Sequence, residues 1–404
     1  MTIEKENFMY LKNETDYDAY DAIIVGCGFS GAVVARELAD AGKRILIVEK
    51  KNEISGMMAD YTDKNGICIH KYGPHVFMMN SEEILNYLKR FCGLIPVTNY
   101  VHAFIDSRYV SIPANFYSFD ALYGEEKSKR LQRKMTDLYG EGKEVHILTM
   151  RNSDDEEIRE LADELYNKIF VGYNAKMWGL KPEELDPSIP GRLPIRVAYN
   201  NKNCKKKYEL IPSEGYINLF NRIVDSHNID ILLNRKAADI LSVREDRIYV
   251  EDKPYKGIVV YTAPLDELFS YAFGKLPYRA LYFETDVFKG KREAPSAVTT
   301  FPMNYDKVRT TDMVELLDQK IDGFVANVSE YPGAYDMESD KFNVPAYPVL
   351  NDGSHSIITK YKEKADAIKN FYYVGRLAEF KYYDMEASIE SALRCSERIL
   401  GGEA

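Results

Sequence analysis

The sequence has no apolar run approaching the roughly 18 residues that a membrane-spanning helix needs. Its amino-terminal stretch, MTIEKENFMYLKNETDYD, is acidic and lacks a signal-peptide core, so no membrane association is expected and the expected location is the cytoplasm. Cysteine is scarce and scattered. Cys27, Cys68, Cys92, Cys204 and Cys395 are odd in number and form no CxxC pair, which argues against a disulfide framework and against a zinc site. Positive charge is short as well: a net charge of −10 gives no general basic field for nucleic acid, so an anionic ligand must be held by local arginines. There is one tryptophan, Trp178, against 31 tyrosines, and no internal repeat or low-complexity segment. What remains is 404 residues, 45% hydrophobic and 29% charged, the composition of a soluble globular chain with room for two or three domains.

The stretch that organises the chain is Tyr20 to Lys50, YDAIIVGCGFSGAVVARELADAGKRILIVEK. Ala22 to Val25 is a short apolar run rich in β-branched residues, and Gly26-Cys27-Gly28-Phe29-Ser30-Gly31 follows at once. Val33, Val34, Leu38 and Ala41 then recur at helical spacing, and Arg44 to Val48 is a second apolar strand ending in Glu49 and Lys50. In such a unit Gly26 makes a tight turn, Gly28 lets a pyrophosphate approach the backbone, and Gly31 lets the helix pack close to the strand. Glu49 stands where it can accept hydrogen bonds from ribose hydroxyls. NAD and FAD both fit this pattern. Ile54-Ser55-Gly56-Met57-Met58-Ala59 supplies a second glycine turn, which a longer cofactor needs to seat its ring-bearing half, and this favours FAD.

Further along, Ile67 to Ile69 reads as a strand, Ser81 to Phe91 as a serine-capped amphipathic helix, and Tyr100 to Ile105 with Arg108 to Ile112 as a strand pair turning at Asp106-Ser107. From Phe119 to Phe170 the pattern is helical and charged, the mark of solvated helix faces. Val171 to Lys207, rich in glycine and proline, is expected to be a loop-rich, partly mobile lid, and Lys205-Lys206-Lys207 a solvated cluster. The α/β pattern returns from Tyr208. Leu281 to Val325 alternates in several short runs, as antiparallel strands with one wet face do, and Met385 to Leu400 reads as an amphipathic helix. Residues 1–19 are expected to be loosely ordered.

Several stretches together resemble the UDP-galactopyranose mutase family of flavoproteins: HKYGPHVF at His70, GYNAKMWG at Gly172, RLPIR at Arg192, YRAL at Tyr278, SEYP at Ser329 and GRLAEFKYYDM at Gly375. The resemblance runs from about Ala22 to the carboxyl terminus. It implies an α/β fold with a Rossmann-type FAD-binding domain (20–98, 208–264 and 350–404), an inserted helical domain (116–207, its lid at about 171–207) and an antiparallel β-sheet domain (99–115 and 265–349). The implied reaction is isomerisation of a nucleotide-diphosphate sugar between pyranose and furanose, UDP-galactose or a relative, with N5 of reduced FAD as the nucleophile. NAD(P)H or another reductant would prime the flavin, and a homodimer is the implied assembly.

Residue by residue, the resemblance places Arg192 and Arg309 on the diphosphate, His75 beside the isoalloxazine and Asp384 at its substrate end. Phe170, Tyr173, Asn174 and Trp178 fall at the base-binding lid positions, Tyr331 and Tyr382 at phosphate-binding tyrosines, and Asn115 faces the sugar. Asn203 stands where a tyrosine is expected near the diphosphate. Around the flavin the resemblance adds His70, Tyr72, Arg279, Gly375, Arg376, Tyr383 and Met385 to the two glycine turns. The chain departs from the family pattern at Ser55-Gly56-Met57-Met58, at Phe77-Met78-Met79, at Ile169, at Asn174 and at Asn203, which leaves the nucleotide and the sugar open. Two other readings stand beside this one. A flavin oxidoreductase of the amine oxidase type would transfer hydride on the same fold, and a flavin-binding protein could have lost catalysis.

Overall fold

Ala22–Val25 is apolar at every position, a pattern that suits a strand buried on both faces, and it lies inside a parallel sheet. A computed structural model describes residues 15–180, 194–203 and 205–401, together with the backbone of Met9 and Tyr10. The parallel sheet runs Met9–Tyr10, Ile229–Leu232, Ile45–Val48, Ala22–Val25, Ile258–Tyr261, Phe371–Tyr373 from edge to edge. Alternate residues of the central strands feed two cores. Ala22, Ile24, Ile45 and Ile47 pack under the helices Phe29–Asp40, Tyr216–Val224 and Met385–Ile399. Ile23, Val25, Leu46 and Val48 pack on the other side with Ile358 and Tyr361 of the helix Asp352–Asp366. Covering both faces removes the sheet from water, which is the main source of its stability.

A second sheet of seven strands runs Pro345–Pro348, Tyr278–Lys289, Phe324–Ala334, Arg309–Asp312, Val298–Thr300, Val101–Ile105, Arg108–Ile112. All its pairings are antiparallel except that of Val298–Thr300 with Val101–Ile105. The helices Phe116–Leu122, Glu125–Tyr139, Ile147–Arg151 and Glu156–Leu165 share one core with this sheet. Tyr166–Val171 then widens into a π-helix before the α-helix Gly172–Trp178. No described helix is long and apolar enough to cross a membrane.

The expected helix after Ser81 forms as Glu82–Lys89, and the Ser81 hydroxyl accepts the Ile84 N–H at 3.2 Å. The turn at Asp106-Ser107 also forms, with φ of 49° and 61° in a tight hairpin. Three expectations differ. Met9–Tyr10 pairs with Asp230 and Ile231 as an edge strand instead of being loose. Residues 172–178 form a helix, because Asn174, Met177 and Trp178 are buried by neighbouring elements that a local glycine and proline count cannot anticipate. After Leu281 the expected short antiparallel strands form at Val298–Thr300 and Arg309–Asp312, but the flanking two are long: Tyr278–Lys289 and Phe324–Ala334 pair without a break from Arg279 opposite Ala334 to Lys289 opposite Phe324. Their charged residues, Glu284 and Asp286, sit on the wet side and only look like interruptions.

Candidate active site

The parallel sheet delivers two glycine turns to one place. Gly26 has φ 93°, and a Cβ on Gly31 would overlap the Gly26 carbonyl, so helix and strand meet as closely as two backbones can. Gly28 differs: a Cβ there would meet nothing within 4 Å, because the position faces a cavity at the amino end of Phe29–Asp40. The second turn packs directly on the first. A Cβ on Gly56 would lie 3.0 Å from Gly28 Cα, and the Ser55 N–H donates to the Cys27 carbonyl at 2.9 Å. The buried Glu49 carboxylate ties the turns together, accepting from Cys27 N at 2.8 Å and Lys51 N at 2.9 Å. Each of its oxygens keeps a further lone pair for a ribose hydroxyl. Lys51 donates to the Gly56 carbonyl at 3.1 Å, and burial pushes its ammonium down to about 8.

From these turns a single cavity of about 1840 Å³ extends toward the seven-stranded sheet. Pockets for one small ligand hold roughly 300–1,000 Å³, so the space suits two ligands end to end. Gly375 and Arg376, then Tyr383, Asp384, Met385 and Ser388 at the amino end of Met385–Ile399, line its middle. Asp384 caps that helix, accepting from Ala387 N at 2.8 Å.

The far end is made of side chains from separate elements. Arg309 donates through Nε and Nη2 to the two oxygens of Glu330, at 2.6 and 2.7 Å, which leaves Nη1 for the cavity that Arg309 lines. Burial alone would lower the guanidinium pKa, but the Glu330 carboxylate outweighs it and the pKa is raised, so the cation persists at any working pH. Opposite stand Trp178, Tyr347 and Tyr382. Tyr347 stacks on Tyr382 with centroids 5.6 Å apart at 12°, and Trp178 meets them at 6.0 and 5.9 Å. Arg376 lies over the Tyr347 ring at 4.8 Å. Burial pushes the Tyr347 phenol up to about 12 and also raises that of Tyr173, so both stay protonated and can donate. Phe170, Asn174 and Asn203 complete this end.

His75 lines the cavity between the two ends, and its Nδ1 is buried with no hydrogen-bond partner. Burial, with the neighbouring His70 and Arg376, holds its pKa well below the usual histidine range, so the ring is neutral. An orphaned nitrogen and a glycine cradle with open space at Gly28 both fit a flavin dinucleotide, whose ring can supply the missing partner.

Several residues expected at the site are elsewhere. Asn115 is fully buried as a helix cap: its side chain accepts from Tyr117 N at 2.8 Å and donates to Ser111 and Pro113, leaving nothing for a sugar. Arg279 does not flank the flavin but binds the carbonyls of Lys176 and Met177, both at 2.8 Å. Tyr331 is one residue out of phase. Ala326, Val328 and Glu330 alternate inward along their strand, so Tyr331 faces the other way, toward Tyr282. His70 accepts the His75 N–H at 3.1 Å, is lowered to about 4 by burial, and does not line the cavity. Tyr72 lies behind Lys51, whose Nζ is 3.8 Å over its ring. Arg192 lies outside the described residues. Lys205, Lys206 and Lys207, expected as a solvated cluster, pair with Glu144, Glu386 and Glu82, and Lys205 and Lys206 line the cavity as well. Two residues were missed: Glu330, signalled by an acid in an inward register, and Tyr347, signalled by the flanking prolines of an edge strand.

The family model described as UDP-galactopyranose mutase matches residues 168–382, and one described as NAD(P)-binding Rossmann-like domain matches residues 24–91. A probable UDP-galactopyranose mutase of Klebsiella pneumoniae is 30% identical over 95% of this chain and 95% of its own. The dTDP-fucopyranose mutase of Escherichia coli is 29% identical over 93% of this chain and 97% of its own. The crystal structure of a reduced UDP-galactopyranose mutase superposes with a TM-score of 0.73 at 13% identity, over 95% of this chain and 94% of that one, which shows a common fold. With more than half of its length matched by the family model and nearly all of it by relatives, the chain belongs to the UDP-galactopyranose mutase family of isomerases.

Proposed function

We propose that the protein interconverts the pyranose and furanose forms of a nucleotide-diphosphate sugar, with UDP-galactose or a close relative as substrate and FAD, active as FADH−, as cofactor. One observation carries the reading: a dinucleotide cradle and a cluster of guanidinium and phenol donors open into the same cavity. Bound reduced flavin supplies an electron-rich nitrogen for attack at the anomeric carbon. The chain's own residues do the rest. Arg309, oriented by Glu330, holds the departing diphosphate with its remaining guanidinium edge, a charge-assisted contact worth about 1.5–3 kcal/mol. Tyr347 and Tyr382 donate to the same oxygens, and Arg192 is proposed as the second cation. Phe170, Tyr173, Asn174 and Trp178 seat the base and keep water from the opened sugar, and Asn203 faces the diphosphate. His75 offers a neutral ring nitrogen to the flavin.

The three segments 20–98, 208–264 and 350–404 are proposed as one FAD-binding domain, with 116–207 and the sheet segments 99–115 and 265–349 completing the site. NAD(P)H or a similar donor is the proposed primer, and a homodimer the proposed assembly. The relative that acts on a dTDP sugar keeps thymidine open beside uridine. Incubating the protein, oxidised or dithionite-reduced, with a panel of UDP and dTDP sugars and separating products by chromatography tests the reading. A furanose should form only with reduced protein; an oxidised product in its place would favour hydride transfer.

A further inference from the structure

The helix Gly172–Trp178 brings Tyr173, Asn174, Met177 and Trp178 to the cavity wall. It ends a continuous helical run that begins at Glu156, and its last carbonyls need partners. Gly179 closes part of the end with φ 69°, returning its N–H to the Ala175 carbonyl at 2.9 Å. The next two carbonyls are taken from outside: Arg279 Nη2 donates to Lys176 O and Nε to Met177 O, each at 2.8 Å. A cation at the negative end of a helix is favourable in itself. Arg279 lies 102 positions later in the sequence, at the start of Tyr278–Lys289, and its partner across the ladder is Tyr347. Tyr347 is also the ring that Trp178 meets edge-on. The contacts therefore close a circuit from Trp178 through Tyr347 and Arg279 back to the carbonyl beside Trp178. The helix is also held along its length, with Gly172 against the Pro302 carbonyl at its start and Lys176 Nζ donating to Phe301 O at 2.7 Å in its last turn.

We propose that Arg279 is a positioning residue: it latches the carboxyl end of this helix to the sheet, fixes Trp178 against Tyr347 and Tyr382, and so sets the width of the substrate end. Its effect on turnover rests on the isomerase reading above, but its effect on Trp178 does not. Because Trp178 is the only tryptophan in the chain, intrinsic fluorescence of the full-length flavoprotein reports on the helix end directly. Arg279→Gln should shift that emission to the red and make it more easily quenched by acrylamide. It should raise the KM for the nucleotide sugar about tenfold while changing kcat far less, with flavin content unchanged. Arg279→Lys, which keeps one donor but not the fork, should fall between. Gly179→Ala perturbs the latch from the other side, since its Cβ would stand 3.0 Å from Arg279 Nη1 at a left-handed φ, and should reproduce the fluorescence change with Arg279 intact. Should Arg279→Gln fail to fold, the other two variants decide. Unchanged emission and quenching in a flavin-loaded variant would overturn the latch, as would a fall in kcat at constant KM. If the wild-type protein isomerises no sugar, the functional reading fails and the fluorescence still decides the latch.

Discussion

The two ends of the cavity are built from different material. The cofactor end is backbone: Gly26, Gly28, Gly31 and Gly56 matter because they lack side chains, and a single helix amino terminus faces the space they leave. The substrate end is side chain: Arg309, Glu330, Tyr347, Tyr382 and Trp178 come from four separate elements and a loop. A backbone cradle fails completely or not at all, whereas converging side chains can be removed one at a time, each with an effect set by its own contacts. It also explains the departures from the family pattern, which fall mostly among side chains and leave the glycine spacing of the first turn intact.

The sharpest contrast lies within the cradle itself. Gly31→Ala puts a methyl group into the Gly26 carbonyl and should abolish folding or leave only insoluble protein. Gly28→Ala has free space and should fold with a near-normal melting temperature yet bind no flavin, as read by absorbance after purification. Flavin retained by Gly28→Ala would break the assignment of the cradle. At the other end, Arg309→Ala should remove turnover and cost about 3–5 kcal/mol in urea denaturation, because it strands the Glu330 carboxylate, which is only 1% exposed. A stable, inactive Arg309→Ala would mean that Glu330 finds another partner.

Acid should act on the seam between the ends. His70 and His75 both have folded-state pKa values below the ordinary 6.5, His70 at about 4. Between those values the unfolded chain binds more protons, so stability is full above about 6.5 and falls as pH drops toward 4, by on the order of 3 kcal/mol for His70. Melting temperature against pH should show this slope, and His70→Asn should flatten it; an equal slope in that variant would contradict the burial argument. The smallest effect is expected from Tyr347→Phe, which removes one hydroxyl and keeps the stack on Tyr382. It should raise KM by about tenfold, roughly one hydrogen bond, with stability unchanged.

This contrast also decides what could be read from the sequence. Glycine spacing is a local constraint, so the two turns, the strand before them and Glu49 were legible at once. Which tyrosine lines the cavity depends on strand register, and register is not local. Tyr331 looked right by motif, but the inward series Ala326, Val328, Glu330 puts it on the far side, while Tyr347 enters from an edge strand. Asn115 carried its own warning: Asn115 and Ser118 are spaced as a capping box, and both side chains are spent on the backbone at the start of Phe116–Leu122. Arg279 carried none, because its partners are the carbonyls of a helix far away in sequence.

The central claim is that one reduced cofactor serves many sugars without being consumed, held by a backbone cradle while guanidinium and phenol groups hold the diphosphate. The most direct test counts furanose molecules formed per reducing equivalent, with the flavin spectrum followed under anaerobic conditions after a single dithionite reduction. The account predicts many products per equivalent and a flavin that is still reduced at the end. One product per equivalent, with the flavin oxidised in step, would contradict it.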